Sequence, residues 1–465
     1  DSGTLQSWAL IFRPSDVPET TIVVPDGVYA LSSPGQFEDS ATSGDLDLNS
    51  SGDITIIGGG AFATMIDAEQ LDRVFDITSG STATFRSLTI RNGNAEEGGG
   101  IRNNGTLTLD GVLVQNNQAE SSGGGIYSTG ILTISNSSVE DNQTTSRFFG
   151  QGGGGLAVVG TSNNSAGQAS IQNTSIVNNT SSETGGGVFA IDAELSLTNV
   201  TISGNTAQRG NGGGILLRTT NGARLSSLTS VTITQNSTLT GNGGGLATDT
   251  ATPQVTLSNS IVTENQAEVS PDVEGLIVSD GTNLFGQPSE TRNDWKTLAA
   301  NAADLDQIGT AQSPLASALG PLERAIGIVH TRTPVPGGRS SNDDLAGVAD
   351  FALTSGLPIT YSTVELEPNN SLTEAMRLDD RGWSLDANTE IENSTTVPHV
   401  TITGTGDGTF DYFSFTVVSP NSVAIFDIDN GSLSVEETFD TELFLFDARG
   451  TLLASNDDSG GDSGS

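Results

Sequence analysis

Acidic side chains crowd the C-terminal end of the chain: Asp407, Asp411, Asp427, Asp429, Asp440, Asp447, Asp457, Asp458 and Asp462. Carboxylate oxygens on loops are what Ca²⁺ takes, about six to eight at flexible geometry. A solvated acidic surface accounts for the same residues, since spacing alone does not make them converge. Further upstream, Asp67, Asp72 with Arg73, and Asp76 place carboxylates beside a cation. Glycoside hydrolysis needs two carboxylates across the bond, and β-elimination needs a base beside acid-bound Ca²⁺. Acids are so abundant that no single cluster stands out, and Arg102, Arg209, Arg218 and Arg224 read as salt-bridging residues. His330 and His399 stand isolated, which argues against a Ser-His-Asp arrangement. No phosphate-binding loop or dinucleotide fingerprint is present, because "GGGG" at 152–155 belongs to a repeat.

Composition narrows the partners. The 465 residues are 34% hydrophobic and 16% charged, and 56 acids against 17 basic residues leave a formal charge of −39. Such a charge repels nucleic-acid backbones and anionic membranes, and no apolar run is long enough for a spanning helix. Cysteine is absent, which excludes thiol chemistry, and Lys296 is the sole lysine. The chain opens on Asp1 without a Met or an apolar leader, and the expectation is a mature, exported protein.

The elements that must position any site follow from self-similarity. Glycine runs start at Gly98, Gly123, Gly153, Gly185, Gly212 and Gly243, each followed by an apolar residue: Ile101, Ile126, Leu156, Val188, Ile215 and Leu246. Short alternating runs come next, such as "LTL" at 107–109 and "VTL" at 255–257, with the period of a strand. Then an apolar residue stands three before an asparagine: Val114 before Asn117, Val139 before Asn142, Ile176 before Asn179, Ile202 before Asn205, Ile233 before Asn236 and Val262 before Asn265. Units of three short strands cannot close a core alone, but stacked they can. The reading is all-β: a parallel β-helix with three strands per coil over 44–285, right-handed by the general chirality of parallel crossovers. Like residues of successive coils then form apolar ladders about 4.8 Å apart. The glycines take a corner where φ turns positive and backbones crowd. The six asparagines form a structural ladder at another corner, where left-handed geometry is tolerated and amides bond from coil to coil. A second polar column comprises Asn136, Asn173, Asn199 and Asn259, with Gly111 and Ser230 between.

The glycine triplet with its apolar residue, and the asparagine three beyond an apolar one, resemble the GGA[ILV] and FxxN repeats of polymorphic outer-membrane proteins and related bacterial surface β-helices. The chain departs from them in writing Gly for Ala and Val or Ile for Phe, so a pathogen-type adhesin role does not carry over. Residues 1–43 read as an N-terminal cap, with a short amphipathic helix in "TLQSWALIF" (4–12) and an extended "TTIVV" (20–24). Residues 286–362 read as an irregular C-terminal cap or linker with a helix in "DWKTLAANAADL" (294–305). In 363–465 the phrases "EPNNS", "DYFSFTV" and "FDTELFLFDARGTLLASNDDSGG" resemble the bacterial pre-peptidase C-terminal domain, a small β-sandwich of exported proteins. That resemblance implies secretion, surface retention or polymer contact. It also implies two Ca²⁺ groups, Glu367, Asn369, Asp407 and Asp411 in one, and Asp440, Asp457 and Asp458 in the other.

The combined expectation is an extracellular structural or adhesive surface protein. In the pre-peptidase family further strands follow "NDDSGG", whereas this sequence stops at Ser465. One expectation is therefore an incomplete sandwich completed head to tail by strand addition from another copy, giving a homopolymer; the other is a longer chain. The alternative function is a carbohydrate-active β-helix, a polysaccharide lyase or hydrolase with an accessory tail. A polysaccharide or cell-surface contact is common to both.

Overall fold

The computed structural model describes Glu19 to Pro288 apart from short gaps at 33–34, 36–43, 50–51, 147–149, 161–166, 221–224 and 250–254. Beyond these it describes 296–298, 306–310, 312–316, 319–326 and 328–334, and six short strands between 362 and 457. The chain divides into two units, Asp1–Ile359 and Thr360–Ser465.

Every regular element among the described residues is a strand or bridge, and in the first unit these stack as a parallel β-helix. One flank is a nine-stranded parallel sheet running from Leu46–Leu48 through Ile101–Asn103 to Val273–Glu274. A twenty-stranded sheet bends within each coil into two further faces, a middle face typified by Thr106–Asp110 and a third face typified by Leu113–Gln115. A six-stranded sheet of short strands closes the fourth side. Pairing is residue for residue: Ile101, Ile126, Leu156, Val188, Ile215 and Leu246 follow one another across the flank. Val114, Val139, Ile176, Ile202, Ile233 and Val262 do the same on the third face. All twelve belong to one core and are fully buried. A one-residue slip would turn every one of them outward, so apolar burial holds the register.

Parallel pairing begins at Glu19–Val24, which pairs with Asp53–Gly58, so "TTIVV" belongs to the stack itself. It continues to Lys296–Leu298 and Gln307–Ile308, which pair with the preceding coil. The helix expected over 294–305 is therefore corrected where it is described: Lys296–Leu298 is a strand. The open edge of Ile277–Ser279 offers unpaired backbone groups there, and a parallel partner satisfies them at once. The helix expected at 4–12 lies outside the described residues.

The glycine corner repeats on every coil. Gly98, Gly123, Gly153, Gly185, Gly212 and Gly243 have φ between 57° and 77°. The second glycine is required for a different reason: a Cβ on Gly213 would fall on the carbonyl oxygens of Gly244 and Ser237, backbone atoms that cannot yield. At the asparagine corner the left-handed residue is the one before each ladder asparagine, as at Asn116, Asp141, Asn178 and Gln235, and not the ladder asparagine itself. The preceding residue makes the turn, which swings the asparagine inward. In the second polar column, Asn136, Asn173, Asn199, Ser230 and Asn259 do take left-handed φ, between 50° and 55° apart from 49° at Asn173.

Residues Leu319–Ile326 and Val329–Pro334 form an antiparallel hairpin within the region read as irregular. In the second unit, Ser362–Val364 pairs with Thr401–Thr403, Met376–Arg377 with Phe413–Ser414, and Glu442–Phe446 with Leu452–Asp457, the last antiparallel.

Candidate functional site

Register, not sequence proximity, builds a charged cluster among the described residues. Asp47, Asp76, Arg102 and Tyr127 occupy successive outward rungs of the nine-stranded flank. Asp45 precedes the first rung, while Asp72 and Arg73 precede the second. Asp45, Asp72, Arg73 and Asp76 are each no more than 5% exposed. The Arg73 guanidinium lies 2.8 Å from Asp45 and 3.9 Å from Asp76, and Arg102 pairs with Asp76 from the other side. Burial pushes the Asp45 carboxyl up to about 8, against the pull of Arg73 and with the help of Asp47, Asp72 and Asp76. The close Arg73 contact taken alone would favour the anion. Burial prevails because several carboxylates share two guanidinium groups. Burial also raises Asp72, and it raises Glu97, whose neighbour Glu96 adds to the effect. Tyr127 is pushed up to about 12 by burial and by Glu97. Asp45, Asp47 and Asp76 each offer an oxygen within 4.8 Å of the others, the hard-ligand chemistry of a divalent cation. The upward shift means that Asp45 holds its proton to higher pH than an ordinary carboxyl does, which eases the crowding of negative charge.

Of the acids singled out in the sequence, Asp72 and Asp76 meet here with Arg73, whereas Asp67 belongs to the third face. There it pairs with Arg91 at 2.8 Å and accepts from Asn92. Asp45 and Asp47 were missed. The signal that finds them is alignment of "LDL" (46–48) with "FDI" (75–77), which puts two aspartates in one column. Arg102, Arg209 and Arg218 pair with Asp76, Glu183 and Asp249, and Arg218 also stands over the Phe189 ring at 5.9 Å. Arg224 and His399 lie outside the described residues. His330 sits on the hairpin with Nδ1 3.3 Å from Glu140 Oε2, and Ser138 donates to the same oxygen at 2.9 Å.

The six ladder asparagines stack on one corner. Each from Asn117 to Asn236 donates its backbone N–H and its Nδ2–H to the Oδ1 of the next, at 2.9 to 3.0 Å. The second Nδ2 hydrogen goes to a carbonyl of the preceding coil, as from Asn205 to Ile176 at 2.8 Å. Asn265 ends the column on Asp272, donating to it at 3.0 and 2.8 Å. Burial raises Asp272 to about 6 despite these donors. The amides are consumed by one another, so the column is structural and leaves no hydrogen-bonding group for a ligand.

Of the tail residues, Glu367, Asn369, Asp407, Asp411, Asp440 and Asp458 lie outside the described residues. Asp457 ends a strand, opposite Glu442.

Outside the cluster the middle face presents a different surface. Thr21, Thr55, Thr84, Thr108, Thr133, Ser170, Ser196, Ser227 and Thr256 pair in unbroken succession along it. They alternate with core residues such as Leu107 and Leu132 and therefore point outward. All nine are exposed or half-buried. No protein family, curated protein or solved structure matches the chain.

Proposed function

We propose that this is an extracellular structural and adhesive surface protein, in which a rigid β-helix displays the middle face to a polysaccharide or cell-wall surface. The observation that carries the reading is the nine-rung hydroxyl column. In a chain of charge −39 it is a long neutral strip of donors and acceptors at a repeat of about 4.8 Å. Such a strip suits a regular hydroxyl-bearing surface better than a small charged metabolite. The saturated asparagine ladder at the corner after the third face supplies the stiffness. The alternative, a polysaccharide lyase or hydrolase, would use the Asp45, Asp76 and Arg73 cluster, whose near-complete burial favours a structural role instead.

Retention on insoluble glucan, chitin and isolated bacterial envelopes tests this. Full-length protein should co-sediment with at least one of them without releasing soluble sugar, and replacing Thr108, Thr133 and Ser170 by Glu should abolish retention. Unchanged retention would sink the middle-face reading, and sugar release at an enzymatic rate would favour the alternative.

The tail supports two further proposals. A pre-peptidase-like sandwich over 363–465 would bind Ca²⁺ through Asp457 and Asp458 together with Glu367, Asn369, Asp407, Asp411 and Asp440. It would also associate by strand addition, in keeping with Leu453 being 61% exposed on its hairpin. One experiment addresses both: melting and sedimentation of the full chain with Ca²⁺ and with chelator. Expected are a lower Tm in chelator, a response removed by Asp457→Asn with Asp458→Asn, and concentration-dependent growth into filaments. Superimposable melts dismiss the metal, and a monomer at all concentrations dismisses the assembly.

A further inference from the structure

The asparagine ladder runs out at a proline. Phe285 pairs with Val262, so the residue three beyond it, where each earlier coil writes its ladder asparagine, is Pro288. A proline ring has no amide to accept from Asn265 and no N–H to pass the column on. The carboxylate of Asp272 does the accepting instead. Val273 pairs with Leu246, so Asp272 stands where the preceding coil has Gly245, the third glycine of its triplet. A Cβ on Gly245 would fall 2.6 Å from Asn265 Nδ2, and the same crowding keeps Gly187 and Gly214 bare beside Asn205 and Asn236. Asp272 can carry a side chain at this position because Pro288 brings no amide to compete for the space.

Three donors end on this one carboxylate. Oδ1 accepts from Asn265 N and Nδ2 at 3.0 and 2.8 Å, and Oδ2 accepts from the Gln287 N–H. The Asp272 N–H donates in return to Gln287 O at 3.2 Å, and Leu246 N–H donates to Asp272 O at 2.9 Å. Gly286 completes the fit, since a Cβ there would fall 2.5 Å from Oδ2. Asp272 therefore ties the asparagine corner to the turn at 286–288.

The tie carries a charge with no cation to balance it. Asp272 is 2% exposed, and among the described residues no arginine, lysine or histidine pairs with it. The elements packed on it bring one further charged group, Glu264 on the asparagine corner; the turn at 286–288, the chain at 314–316 and Gly245 bring none. On its own strand Glu274 accepts from Ser270 at 2.6 Å. Burial raises the Asp272 carboxyl to about 6; the three donors pull the other way, and Glu264 adds to the rise. A cavity of about 240 Å³ bounded by Asn265, Asp272, Gln287 and Leu315 gives solvent protons a route to it.

We propose that Asp272 is a proton-operated latch on the coil that ends at Pro288: carrying its proton it holds the asparagine corner against the turn at 286–288, and ionised it lets them part. The six asparagine rungs are amides and do not titrate, so the response is confined to this end of the ladder. Each coil rests only on its neighbours, and the end coil can open while the rest of the stack stays folded. The folded carboxyl is raised from 3.8 to about 6, so the stability that its proton contributes is fully present below pH 3.8 and is lost as pH rises through about 6. From pH 5 to pH 7.5 the opening equilibrium of this coil should rise about tenfold.

Hydrogen exchange of the full chain, followed by mass spectrometry at those two pH values and corrected for intrinsic exchange rates, reads the opening directly. Peptides covering 264–274 and 284–288 should lose about tenfold in protection at pH 7.5, while peptides covering 176–205 should keep theirs. Asp272→Asn keeps the shape and an acceptor for Asn265 but cannot ionise. Its protection should be the same at both pH values. Should that variant fail to close the coil, the comparison of the parent with itself at the two pH values still decides. Equal protection of the parent at both, greater protection at pH 7.5, or a pH response that survives Asp272→Asn would each overturn the proposal.

Discussion

Asn205→Leu should lower the stability of the β-helix by about 3 to 6 kcal/mol. Four bonds converge on that amide. Asn205 Oδ1 accepts from Asn179 N and Nδ2 at 2.9 and 3.0 Å, while Asn205 Nδ2 donates to Ile176 O at 2.8 Å and to Asn236 Oδ1 at 2.9 Å. The site is 0% exposed, so water cannot replace what leucine removes. Two donors on Asn179 and the carbonyl of Ile176 are left unpaired, each a penalty of about 1 to 3 kcal/mol before any misfit of the branched side chain. Because each coil rests only on its neighbours, the damage should split the unfolding transition and not merely shift it. Urea denaturation followed by circular dichroism measures both. A variant that melts with the parent would show that the ladder is incidental to stability.

The fold was legible because its signals are local and repeated. Ile101 and Leu246 could be placed in one column since each follows a glycine run at the same distance, and burial then fixed the register. The left-handed corner was read one residue late, because an asparagine tolerates that conformation and the eye stops there. Asn116 makes the turn, and Asn117 is turned inward by it. The strand at Lys296–Leu298 was hidden because helix-forming residues compete locally, whereas the open edge that recruits them lies a coil away. The docking of the Val329–Pro334 strand was illegible for a related reason: the contact of His330 with Ser175 joins residues 155 apart, with no repeat to announce it. The charged cluster was half legible. Asp72, Arg73 and Asp76 are neighbours in sequence, but Asp45 and Asp47 reach them only through the stacking of coils.

That cluster gives the second large effect, and one with a definite pH signature. Arg73→Met keeps most of the apolar stem and deletes the charge that faces Asp45 at 2.8 Å and Asp76 at 3.9 Å, in a site where Arg73 is 5% exposed. Removing one partner of a buried ion pair leaves an uncompensated carboxylate, a loss of about 3 to 5 kcal/mol. The loss should depend on protonation. In the parent, burial lifts Asp45 to about 8 from an ordinary 3.8, so the folded state binds its proton more tightly than the unfolded chain does. The stability that this proton contributes is fully present below pH 3.8 and disappears as pH rises through about 8. Deleting Arg73 removes the contact that favours the anion, which raises the folded value further and carries the decline on to higher pH. At pH 5 Asp45 is protonated with or without the arginine, and the cost should shrink to about 1 to 2 kcal/mol of lost hydrogen bonding and packing. Above about pH 8, where the parent's Asp45 ionises beside Arg73, the loss should grow by about 1.4 kcal/mol per pH unit and approach the full figure near about pH 10. Equilibrium denaturation of both proteins at these low and high values decides the matter. An equal loss at both would mean that Arg73 acts through packing alone. A loss confined to high pH would establish a buried, proton-holding carboxyl cluster on the outward side of the flank, stabilised by two arginines that the stacking of three coils brings together.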